Sequence, residues 1–151
     1  MKWSAIVNRY AAIFVGGCIG AVARAAIAPP LGSGIAAWDH GAAPYGTLTV
    51  NLVGAFLLGL IAGVTNALPG IDKRWRLGLG TGMIGTFTTY GTLIQEVETG
   101  VWPASAIYLA VSLCGGIALA FWGVKLSTGV VRYAGDRRRI RTSRHQDGTA
   151  A

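Results

Sequence analysis

The chain has 151 residues, of which 52% are hydrophobic and 13% charged, with a formal net charge of +7. A soluble domain carries about 25% charged residues, so this composition excludes an ordinary soluble globule and points to one membrane-embedded domain. The basic excess does not read as a nucleic-acid surface, because most of it lies at 132–144, beyond the last apolar stretch. There it reads as a cytoplasmic anchor facing anionic lipid.

A helix needs about 20 apolar residues to cross the hydrocarbon, and four stretches approach that length: 10–28, 46–68, 77–97 and 101–126. The predicted fold is therefore an all-α membrane protein of four transmembrane helices within 10–128. A short N-terminal segment (1–9) precedes it, and a basic tail (129–151) expected to be disordered follows. Lys2 and Arg9 ahead of the first run also suit a signal peptide cleaved near 26–28. Arg24 at the end of that run, and the three further apolar segments, favour a polytopic protein instead.

The first stretch contains Gly16 and Gly20, a small-xxx-small spacing that suits close helix contact; Gly59 and Gly63 repeat it in the second. Arg24 either snorkels to the headgroups or sets a positive charge at a vestibule that draws anions inward. Cys18 and Cys114 have no metal-ligand spacing and read as small buried apolar side chains. A loop at 29–44 leads to the second stretch, where Asn51 lies one turn in. An amide at that depth serves either as glue between helices or as a neutral donor to an ion. The connection at 69–76 is short and basic.

The third stretch is unusual. Gly78, Gly80, Gly82 and Gly85 precede Thr86, Thr88, Thr89, Tyr90, Gly91 and Thr92. Each glycine costs a helix up to ~1 kcal/mol relative to alanine. One reading is a helix broken mid-membrane near 85–91, whose free carbonyls face a cation and whose amides face an anion. The other is a packing face whose hydroxyls bond back to the preceding turn. A tight turn at 98–103 leads to the fourth stretch, which carries Ser112.

With four crossings, the N-terminus, the 69–76 loop and the C-terminus share one side. That side holds twelve of the thirteen basic residues, leaving Arg24 alone on the other. The positive-inside rule then predicts cytoplasmic termini and one fixed orientation in a bacterial inner membrane. Asp39, His40, Asp72 and His145 fall in loops or the tail and form no catalytic set, so no enzyme is expected.

Three segments taken together resemble the Fluc (CrcB) family of fluoride channels. GGCIGAVAR (16–24) is similar to that family's GGxxGAxxR. PYGTLTVNLVGAFLLG (44–59) is similar to WGTLxVNxxGSFxxG, and GMIGTFTTYGTLIQE (82–96) to GxxGGxTTFSTFSxE. The resemblance implies an antiparallel dimer of four-span subunits with two fluoride pathways along the interface. It also implies one structural, non-transported Na+ held by backbone carbonyls that match Gly85 and Thr88. The matching positions place Asn51 on the pathway, give Thr92 a hydroxyl on the track, and put Tyr90 and Leu93 where the family has two phenylalanines.

Those last two are departures. A phenylalanine edge can meet an anion with its positive rim; Leu93 cannot, and Tyr90 adds a hydroxyl. Together with the charge bias, this predicts one half of a heterodimer whose oppositely inserted paralogue supplies the intact phenylalanines, a homodimer being the other arrangement the family allows. The implied function is passive export of fluoride, lowering its cytoplasmic concentration. Asn51 and Thr92, with help from Tyr90 and Ser112, would replace the ion's water. Two other readings are a non-conducting membrane assembly subunit and a small multidrug-type proton-coupled exporter. The exporter needs an embedded carboxylate, and Glu96 near the end of the third stretch is the one available.

Overall fold

A computed structural model describes residues 3–33, 43–68 and 70–147. Asp39 and His40 lie outside the described residues. The described residues are mostly helical and contain no strand. Helix α1 is Trp3–Ile27, followed by a 3-10 turn at Pro29–Leu31. Helix α2 is Tyr45–Ala67. A four-residue helix α3 (Lys73–Arg76) runs into a π-helical segment, Leu77–Ile84, and a short α4, Gly85–Phe87. Helix α5 is Gly91–Thr99 and α6 is Ala104–Asp147.

Three stretches, Ile6–Leu31, Tyr45–Ala67 and Ala104–Gly135, are long and apolar enough to cross a membrane. The segment 77–97, expected as a further span, is not among them because its helix is interrupted. Thr88 is extended, with ψ 159°, and the next helix begins at Gly91. Much of the apolar surface faces outward: Phe14 is 73% exposed and Trp122 is 71% exposed. Apolar area on that scale belongs against lipid or a partner subunit. Cys18 and Cys114 are exposed on these outward faces, not buried as their apolar sequence context suggested.

Two interfaces hold the chain together: α2 along α6, and α1 along the π-helical segment. Glycine sets the approach in both. A Cβ on Gly16 would run into the Gly78 carbonyl, and one on Gly59 into the Ala120 carbonyl. The small-xxx-small pairs therefore work within the subunit, where backbone lies directly on backbone.

The last helix does not stop near 126 with the apolar stretch. It continues through the basic segment to Asp147, giving 44 residues, or about 66 Å at 1.5 Å per residue. Arginine is among the better helix formers, and the 137–144 run is rich in it. The expected disordered tail is thus a helical extension as far as 147.

Candidate ion site at the interrupted helix

The interruption at 88–90 is held by side chains from elsewhere in the fold. Asn51 on α2 makes a reciprocal pair with Thr89. Its Nδ2 donates to the Thr89 carbonyl at 2.9 Å, and its Oδ1 accepts from the Thr89 N–H at 2.8 Å. In a continuous helix the Thr89 N–H would have bonded the Gly85 carbonyl, four residues back. Asn51 takes that donor away.

The same displacement occurs one step on. The Thr92 N–H donates to the Thr89 hydroxyl at 3.3 Å, so it does not return to the Thr88 carbonyl. The Thr89 hydroxyl in turn donates to that of Thr92 at 3.0 Å. Two carbonyls, of Gly85 and Thr88, are thereby released from helical bonding. The Arg24 guanidinium reaches the Thr88 carbonyl only at 3.5 Å, the outer limit of a hydrogen bond. Thr88 keeps its own N–H on the Ile84 carbonyl at 3.0 Å, and its hydroxyl donates to the same oxygen at 3.1 Å. The turn before the break is therefore intact.

Thr86 ties the segment to α1, its hydroxyl lying 2.9 Å from the carbonyls of both Gly17 and Gly82. A cavity of about 380 Å³ opens beside the interruption, and its lining includes Asn51, Gly85, Thr88, Tyr90, Leu93 and Ser112. Tyr90 is 73% exposed, whereas Leu93 is 3% exposed.

Residues 11–124 match the CrcB-like protein, Camphor Resistance (CrcB) family. The chain belongs to the CrcB family. It is 40% identical over 118 residues to the fluoride-specific ion channel FluC 1 of Cutibacterium acnes, covering 72% of this chain and 78% of that one. It is 41% identical over 133 residues to the fluoride-specific ion channel FluC 1 of Mycobacterium bovis, covering 85% and 93%. A further relative is the fluoride-specific ion channel FluC of Chlorobium phaeobacteroides, at 36% identity over 130 residues and 80% and 95% coverage. The CrcB family is an ion-channel family and not an enzyme class, and its apolar helices make this CrcB chain a multi-pass membrane protein.

Of the eight residues expected to form the ion site, six line that cavity: Asn51, Gly85, Thr88, Tyr90, Leu93 and Ser112. Thr92 is not part of that lining and instead bonds Thr89. Arg24 is reached only through the Thr88 carbonyl. The Asn51 amide, expected either as glue or as an ion ligand, gives one of its two donors to backbone and so acts at least as glue.

Sequence reasoning missed a second polar cluster. Glu96 on α5 is fully buried, at 0% exposure. Its carboxyl group accepts from the Thr47 hydroxyl at 2.6 Å and from the Tyr108 hydroxyl at 2.7 Å. These residues come from α2, α5 and α6, so one carboxyl group binds three helices. A glutamate near the end of a predicted membrane span was the available signal.

Two carbonyls freed from a helix, with hydroxyls and an amide nearby, suit a hard cation that takes oxygen ligands. Among the described residues no group of three or more His, Cys, Asp and Glu could hold a metal.

Proposed function

We propose that this chain is a subunit of a passive, fluoride-selective channel whose ion path runs beside the interrupted helix. The observation that carries this reading is the exchange at 88–92. Asn51 and Thr89 take the backbone donors, releasing the Gly85 and Thr88 carbonyls from helical bonding beside a cavity lined by Asn51, Tyr90 and Ser112, with only the long Arg24 contact left on the Thr88 carbonyl. The names of the CrcB-family relatives support fluoride as the ion.

Within a membrane, irregular backbone survives only where protein or water satisfies it, and this arrangement meets that condition. The helical pieces 77–87 and 91–99 together form a third, broken crossing, which with the three long helices makes four. The Gly85 and Thr88 carbonyls would hold a structural, non-transported Na+. One chain offers two such oxygens, and a twofold-related second subunit would bring the set to four. A fixed cation there would raise the local potential for an anion.

Fluoride sheds strongly bound water, and the remaining N–H of the Asn51 amide and the hydroxyls of Ser112, Thr92 and Tyr90 replace it. The membrane potential, negative inside, drives export without a nucleotide. Both termini lie in the cytoplasm on the strength of the twelve-to-one distribution of basic residues.

The second subunit is an oppositely inserted paralogue. The charge bias opposes dual insertion of one chain, and Leu93 presents an apolar chain where its family has an aromatic edge. The test is to express this chain alone, reconstitute it in liposomes and measure fluoride efflux with an electrode. Efflux only on co-expression with a paralogue is the expected result. Strong efflux from the chain alone, with tagged termini on both faces, would refute the pairing. Absence of efflux under every pairing would favour the non-conducting assembly subunit, which Tyr90 and Leu93 at the family's phenylalanine positions keep as the second reading.

A further inference from the structure

The segment 72–76 reads Asp72, Lys73, Arg74, Trp75, Arg76, three basic residues against one acidic. It lies beside the start of α1, at the opposite end of that helix from Arg24. Asp72 is occupied: Arg74 donates to it from Nε at 2.8 Å and from a terminal guanidinium nitrogen at 2.6 Å. The Arg76 side chain has no partner among the described residues. Trp75 is 68% exposed, a residue type enriched at the membrane–water interface.

Trp75 and Leu79 form a ridge with a crevice on each side. One crevice, of about 480 Å³, lies between α1 and the π-helical segment; Asn8 and Arg74 stand at one end, and Val15, Ile19 and Met83 lie deeper. From Asn8 to Ile19 is eleven residues of α1, about 16 Å of helix. The other crevice, of about 350 Å³, lies between α2 and the π-helical segment, with Leu60, Val64 and Ile71 in its wall and Arg76 at its edge. Apolar slots with an unpaired cation at one end have the polarity of a phospholipid, and the local charge favours an anionic one.

We propose that the Trp75–Leu79 ridge seats an anionic phospholipid, its phosphate against Arg76 and its acyl chains in the flanking crevices. The Asp72–Arg74 pair contributes by occupying the one nearby carboxylate that would otherwise compete for Arg76. The site depends on the chain spanning a membrane but not on fluoride conduction, so efflux measurements and lipid binding can fail independently.

The test uses the full chain, purified in detergent and incubated with equal amounts of dioleoylphosphatidylglycerol and dioleoylphosphatidylcholine. Retained lipid is counted by native mass spectrometry. Phosphatidylglycerol should be retained in preference. Arg76→Gln should lower that preference about fivefold, the effect of one basic side chain near an anionic surface, while Arg76→Lys keeps it. Leu79→Trp, which fills the crevices, should lower retention of both lipids. Circular dichroism and gel filtration check that the variants fold; if Arg76→Gln does not, the wild-type preference and Leu79→Trp still decide. Equal retention of the two lipids by the wild type, or an unchanged preference in folded Arg76→Gln, overturns the proposal. So does disulfide cross-linking between copies of Trp75→Cys in vesicles, in a chain whose exposed Cys18 and Cys114 are replaced by Ser, which would put a second copy on the ridge.

Discussion

Asn51 is the most informative residue to perturb, because its two polar atoms do different jobs. Its Oδ1 accepts from the Thr89 N–H and its Nδ2 donates to the Thr89 carbonyl. Asn51→Ala removes both. A buried polar group left without a partner costs about 1–3 kcal/mol, so two would cost up to about 6 kcal/mol in a dry site. Thr89 is only partly buried and borders a cavity, so water recovers much of that, and a net loss of about 2 kcal/mol is expected. For a chain of this size that lowers the midpoint of thermal unfolding by about 4–8 °C.

Asn51→Asp separates holding the break from serving an anion. It keeps the acceptor for the Thr89 N–H but turns a carboxylate oxygen toward the Thr89 carbonyl, and it sets a negative charge beside the cavity. In liposomes that hold the chain together with its partner subunit it should therefore abolish fluoride efflux, whereas Asn51→Ala should retain part of it. Both are read with a fluoride electrode alongside melting in detergent. Wild-type efflux and melting in Asn51→Ala would refute the assignment of Asn51 to the interruption. Wild-type efflux in Asn51→Asp would remove it from the ion path.

Glu96→Ala strands the fully buried Thr47 hydroxyl and one bond of Tyr108, and should cost about 2–4 kcal/mol. Glu96→Gln, which keeps the shape and leaves hydroxyls free to turn, should cost less; equal melting of the alanine variant and wild type would show that the cluster does not bind the helices. Gly59→Ala should destabilise by about 1–3 kcal/mol, because its methyl group meets the Ala120 backbone. Gly116→Ala, whose new Cβ would sit 3.8 Å from the Ala55 side chain, should melt at or slightly above wild type, since alanine favours a helix interior over glycine, and the same melting assay compares the two. Hydrogen bonds from the Arg74 side chain and backbone hold the Asp72 carboxyl below its ordinary 3.8. Because the folded value is the lower one, any contribution is complete at neutral pH and is lost only as pH falls through that value. Melting curves of Asp72→Asn and wild type should therefore keep a constant offset between pH 5 and 8 and converge below about pH 4.

Much of the chain's layout is visible in its hydropathy, because a bilayer asks for a long uninterrupted apolar helix and little else. The stretch 46–68 is met by Tyr45–Ala67 almost residue for residue. The far end of α6 was not visible in the same way. Hydropathy marks where lipid ends, and nothing at 126 stops a helix: neither Gly129 nor Gly135 ends it, and good helix formers follow. The polar site divides along the same line. Glycines and threonines between 78 and 92 mark where helical bonding is weak, and the interruption at 88–90 falls within that run. Which donors are diverted, and to whom, depends on α2 lying close enough for Asn51 to reach Thr89, 38 residues away in sequence.

That dependence explains why the partners of Glu96 were not legible in the sequence. Glu96 and Asn51 are each polar residues in a predicted span, and sequence can say only that such a group needs a partner when buried. For Glu96 the partners are hydroxyls 49 residues before it and 12 after it, on helices whose facing sides no local pattern specifies. The glycines decide this geometry. Gly59 and Gly63 let α2 lie directly on α6, and that contact carries Thr47 and Tyr108 to the same carboxyl group. Gly16 and Gly20 do the same for α1 and the segment before the break, bringing Gly17 to Thr86. The side chains that hold the interruption are thus positioned by residues that have none, and a methyl group added at Gly20 should disturb residues 88–90 without touching any of them.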